Sequence, residues 1–114
     1  MLGTKVKEIT SREELENLVK ENENALICAG RLGPMCIPVY KAMEQMENEE
    51  QFSHVKFYTV DFDTNAAMPI RNDSMCAGFM GLPFTAYFKQ GKIVHATSSI
   101  QSGAQLEENI KKVF

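Results

Sequence analysis

The chain has no apolar run long enough to span a bilayer, and its first residues, MLGTKVKEIT, lack the apolar stretch of a secretion signal. A cytoplasmic protein with no membrane partner is therefore expected. It also lacks any surplus of positive charge: 12 Lys and Arg stand against 15 Asp and Glu, a net of −3. Nucleic acid, whose phosphates demand cationic surface, is not expected as a partner. Cysteine is scarce. Three residues are too few, and too odd in number, for a secreted disulfide framework, so the thiols should be reduced at rest. Cys28, Cys36, Cys76, His54 and His95 never fall at the paired spacings of a zinc site, so neither a metal nor a cofactor is expected. Internal repeats and low-complexity segments are missing as well.

What is present is enough for one domain over residues 1–114, with a core of its own. Lys5 to Thr10 alternates around Val6 and Ile9, as a short edge strand does. Ser11 and Glu14 form a capping box for a helix from Arg12 to about Asn22, with Leu15, Leu18 and Val19 inward. Ala25 to Ala29 is an apolar run too short for a helix and suited to a strand buried on both faces. Gly30 and Gly33-Pro34 break it. Pro34 fits the first position of a second helix, which the spacing of Cys36, Val39, Tyr40, Met43 and Met46 carries to about Glu50. Pro38 is tolerable only in that helix's first turn.

His54 to Asp63 has the aromatic and β-branched content of a strand. Thr64 to Gly81 gives a weak helical pattern around Ala66 to Arg71. Phe84 to Lys89 and Lys92 to Ser98 form a hairpin across Gln90-Gly91, with glycine supplying a positive dihedral. Ser102 and Gln105 cap a last amphipathic helix carrying Leu106, Ile110 and Val113. The order predicts an α/β fold, a mixed sheet of about five strands with helices on both faces.

That order, with Ala29 and Gly33-Pro34 followed by Pro38, then VKFYTVDFDTN, LPFTAYFKQGKIV and SGAQLEENIKK, resembles the thioredoxin family over nearly the whole chain. The resemblance implies the thioredoxin fold, with Pro83 as a cis-proline lying against the turn and a groove for an extended peptide beside it. The departures are chemical. Where the family has Trp-Cys-Gly-Pro-Cys, this chain has Arg31-Leu32-Gly33-Pro34-Met35, an atypical site without either cysteine. The family's buried aspartate falls on Leu26, and its glycine after the last strand falls on Ser99. The chain is also shorter between Pro34 and Pro38 and longer before Pro83.

Cys36 stands at the start of the second helix, whose N-terminal N–H groups favour an ionised thiol. Its apolar neighbours at helical spacing equally fit a core thiol. The segment holding Cys76 leads into Pro83, so a Cys36–Cys76 redox pair is conceivable if their Cα atoms come within about 7 Å. Cys28 reads as a plain core residue. Arg31 could steady a thiolate or hold an anion. Met35, Met68, Met75 and Met80 surround the groove in sequence, either as adaptable contacts or as core filler. His54 and His95 read as solvent-facing strand residues, and Glu44 to Glu50 as a solvated helix face.

Two functions follow. The first is atypical thiol–disulfide redox, with Cys36 and Cys76 catalytic and Arg31, Leu32, Gly33, Pro34, Met35, Leu82 and Pro83 holding an extended protein or peptide substrate, with a mixed disulfide as the expected intermediate. The alternative is a non-catalytic module that binds a peptide or protein in the same groove.

Overall fold

The structure is a computed structural model and describes residues 2–114. Strand β2 (Asn24–Gly30) is apolar on both faces and accordingly lies at the centre of the sheet. It pairs in parallel with β3 (Lys56–Asp61) and antiparallel with β4 (Phe84–Lys89). A short β1 (Lys7–Ile9) lies parallel to β3 at one edge, and β5 (Lys92–Ser98) closes the other in a hairpin with β4. The order is β1-β3-β2-β4-β5, the expected five-stranded mixed sheet.

Alternation along the strands divides the core in two. Leu26 and Cys28 of β2, Phe57 of β3 and Tyr87 of β4 face one side, where they meet α2 (Ile37–Glu47) and α4 (Gly103–Val113) through Val39, Tyr40, Met43, Leu106 and Ile110. Ala25, Ile27 and Ala29 of β2, with Val60, Phe84 and Ala86, face the other side. There they meet α1 (Arg12–Glu21) through Leu15 and Val19, and the short α3 (Met68–Arg71) through Ile70.

The helix termini show why these segments start where they do. In α4 the capping box is complete: the Gln105 N–H donates to Ser102 Oγ (3.1 Å) and the Ser102 N–H to Gln105 Oε1 (2.8 Å). At α1 only half of the expected box forms. Ser11 Oγ takes the Glu14 N–H (3.0 Å), but the Glu14 carboxylate reaches one residue further back, to the Thr10 N–H (2.8 Å). In the hairpin both turn residues, Gln90 (φ 52°) and Gly91 (φ 84°), take positive dihedrals, so the turn matches strand twist at a small cost in Gln90. Within the acidic stretch, Glu44 is more than a solvated charge. Its carboxylate accepts the Thr4 hydroxyl and the Lys5 N–H, tying the segment before β1 to α2.

The second helix differs from expectation at both ends. It opens at Ile37, not Pro34, because the Gly33 carbonyl accepts the N–H groups of both Cys36 and Ile37 (3.1 Å each) and closes a tight turn first. Pro38 then falls in the first helical turn, where its missing N–H is harmless. Glu50–Phe52 forms a separate short 3-10 turn.

The Leu82–Pro83 bond is cis, and the strand that follows is locked at its base by the Ser99 N–H donating to the Gly81 carbonyl (3.0 Å). Ser99 holds φ 70°, a left-handed conformation that costs a residue with a Cβ about 1–2 kcal/mol. Its hydroxyl occupies the space a Gly81 side chain would need. Ser99→Gly is therefore expected to raise stability by up to about 1 kcal/mol. Gly81→Ala is expected to lose about 1–3 kcal/mol by overpacking, most of it recovered in the double variant. Urea unfolding of the four proteins measures this. Simple additivity would show that the two residues do not compete for the space.

Candidate functional site

The site is built at the end of β2, where the chain leaves the sheet through Arg31 to Met35 and enters α2. Cys36 is the residue before the helix and turns its side chain inward, leaving only 2% of the residue exposed. It can do so because Gly30 has no side chain. A Cβ there would overlap the Tyr40 hydroxyl and stand 2.9 Å from Cys36 Sγ. The sulfur accepts the Arg31 backbone N–H at 3.3 Å, and the Tyr40 hydroxyl donates to the Arg31 carbonyl at 3.0 Å. Both polar groups of Arg31's backbone are thus engaged by α2 residues.

Arg31's side chain goes elsewhere. Its Nε and Nη2 each donate to the Asp63 carboxylate at 2.8 Å, and the guanidinium lies 5.6 Å from the Phe62 ring centroid. Hydrogen bonding from Arg31 holds the Asp63 carboxyl below the usual carboxylate range. Arg71 approaches the same ring at 5.5 Å and donates to the Phe62 carbonyl. Arg31 therefore meets the thiol through its backbone, and its charge is spent on Asp63.

Outside the turn a groove of about 370 Å³ is lined by Arg31, Gly33, Pro34, Met35, Cys36, Met80, Gly81 and Leu82. Five of the seven residues expected to hold a substrate line it. The other two do not: Leu32 is 65% exposed beside Gly3, and Pro83 is buried beneath. Met35 (48% exposed) and Met80 (95%) form an apolar rim. Met75 instead lines a separate groove between α1 and β5, with Leu15, Val19 and Ile93. Met68 opens α3, half-buried. His54 is exposed as expected but lies in the turn before β3, which opens at Lys56 and not at His54, whereas His95 packs on Tyr87 with centroids 5.2 Å apart.

The structure does not bring Cys36 and Cys76 together. Cys36 belongs to the layer under α2 and α4, and Cys76, on a 3-10 turn after α3, is buried in the layer on the opposite face of the sheet. All three cysteines are free and buried. Cys28 is central in the Cys36 layer, and burial drives its thiol far above the usual range, with the Thr85 hydroxyl opposing and Cys36 adding to the rise. Gly30, Tyr40, Asp63 and Gly81 are the site residues that sequence reasoning missed, whereas Met80 was among the methionines expected around the groove. Gly30 was visible only as a strand breaker, since its use as a sulfur slot depends on where α2 crosses β2.

Gly30→Ala is expected to cost about 1–3 kcal/mol in urea unfolding and to speed alkylation of Cys36 by pushing the sulfur outward. Unchanged alkylation in a destabilised variant would show that the slot does not set sulfur position. Burial also pushes the Cys76 thiol up to about 11, with Asp73 adding to it. The folded value lies above the unfolded one near 8.5, so this contribution is whole at neutral pH and is lost as pH rises through about 11. The urea midpoint should fall over that window, and less steeply in Cys76→Ala. An equal slope would remove Cys76 as a cause.

No protein-family model and no curated protein sequence matches the chain. Solved structures do. Thioredoxin from Plasmodium falciparum superposes with a TM-score of 0.76 at 20% identity, covering 96% of this chain and all of the other. Mitochondrial thioredoxin 3 from Saccharomyces cerevisiae, in its oxidised form, gives 0.73 at 19%, covering 95% of each chain. Thioredoxin from Fasciola hepatica gives 0.74 at 22%, covering 93% of this chain and 97% of the other. With sheet order, helix placement and the cis bond before Pro83 all in place, this chain has the thioredoxin fold.

Proposed function

We propose that the chain performs thiol–disulfide exchange through Cys36, with an extended protein or peptide segment lying in the groove between the Gly33-Pro34 turn and Gly81-Leu82. The supporting observation is the Arg31 N–H aimed at Cys36 Sγ from 3.3 Å, beside a groove that Cys36 itself lines. Donors of this kind stabilise negative charge on an acceptor, and the thiolate is the attacking species. The sulfur bonds to one sulfur of a substrate disulfide, the substrate S–S bond breaks, and the second substrate sulfur leaves as a thiolate. A mixed disulfide results, which a further thiol resolves. Met35 and Met80 offer adaptable apolar contact to the substrate flanks.

The burial of Cys36 favours a second reading, capture of a peptide in the same groove without chemistry. Reduction of a disulfide-linked model peptide by a small dithiol, with and without the protein, separates the two. Catalysis by the wild type and by Cys76→Ser, falling to the uncatalysed rate in Cys36→Ser, is the expected result. A wild type no faster than Cys36→Ser would reject the redox reading. Peptide binding that survived in that case would establish the second.

A further inference from the structure

We propose that Cys28 is the thiol that resolves a mixed disulfide on Cys36, so that the chain carries its own dithiol across β2 and the start of α2. This rests on the Cys36 reading above and assigns the second half of the reaction. The place of the missing Gly30 side chain is taken by the Tyr40 hydroxyl and bordered by Cys36, whose Sγ stands 2.9 Å and whose Cβ stands 3.2 Å from where a Gly30 Cβ would be. Cys28 lies two residues back on the same strand and the same face, about 6.6 Å away along it. Cys28 and the Cys36 sulfur therefore share one buried layer, over neighbouring positions on that face of β2. Each sulfur also lies close enough to the Tyr40 hydroxyl for its charge to be felt there.

The surroundings of Cys28 carry a second, independent sign. Thr85, its cross-strand partner in β4, is fully buried, and its hydroxyl acts on the Cys28 thiol, favouring the ionised form against the burial that opposes it. As Cys28 ionises to attack, that hydroxyl donates to the developing thiolate.

The step balances. After Cys36 has taken one half of a substrate disulfide, the Cys28 sulfur attacks Cys36 Sγ, and the bond from Cys36 to the substrate sulfur breaks. That sulfur leaves as a thiolate and takes up the proton Cys28 gives up. Across both steps the two protein thiols are oxidised to one disulfide, and the substrate disulfide is reduced to two thiols. The substrate approaches from the groove and the resolving thiol from the core, so neither blocks the other.

The test uses the full chain in a Cys76→Ser background, treated with oxidised glutathione and followed by intact mass and peptide mapping. The expected product is a Cys28–Cys36 disulfide with no retained glutathione, whereas Cys28→Ala retains one glutathione on Cys36. Thr85→Val, which leaves both thiols in place, should resolve the adduct more slowly and accumulate it. A stable glutathione adduct on Cys36 with Cys28 present would overturn the inference and leave the Cys36 reading standing. No adduct and no disulfide in any of the proteins would overturn both. Should Cys28→Ala fail to fold, the mapped wild-type product and the Thr85→Val kinetics decide.

Discussion

A side chain at Gly30 would overlap the Tyr40 hydroxyl and crowd the Cys36 sulfur, and the arrangement of the site depends on its absence. With that space open, α2 packs close to the end of β2. Tyr40 then reaches the Arg31 carbonyl, and the Cys36 sulfur meets the Arg31 N–H. The Gly33 carbonyl, shared by two N–H groups, sets the turn that makes this approach possible. Core packing and the placing of the Cys36 sulfur are thus the same set of contacts.

The two faces of the sheet explain which thiols can cooperate. Side chains alternate along β2, so Cys28 and the Gly30 slot share one face while Ala29 and Ile27 share the other. Cys36 joins the first face because α2 covers it. Cys76 joins the second because the segment after α3 packs on that face, where Phe79 meets Phe84 edge to face. Proximity in the chain to Pro83 made Cys76 the natural partner in sequence, but the sheet stands between them.

Much of the fold was legible because its signals are local. Strands β4 and β5 match their expected bounds, since a Gln-Gly turn and alternating residues define a hairpin without help from the rest of the chain. The Ser102 box fixed α4 in the same way. The start of α2 was not legible, because the double acceptance at the Gly33 carbonyl is a property of backbone path and not of residue type. For the site, a thiol at the helix start could be read, as could the apolar face it shares with Val39, Tyr40 and Met43, but the space beside Gly30 that admits its sulfur could not. Arg31 shows the same limit: its charge drew notice in the sequence, yet its backbone N–H is what faces sulfur, and its guanidinium is held by Asp63.

If Cys36 acts as a nucleophile, it must react from the folded protein despite being 2% exposed. Native-state alkylation of Cys36 across low urea concentrations reads this directly. A rate that stays flat below the unfolding transition is expected, since local lifting of the Gly33-Pro34 turn exposes little new surface. A rate that climbs with the full slope of global unfolding from the first addition of urea would contradict it, and Cys36 would then be a core residue whose sulfur never meets a substrate.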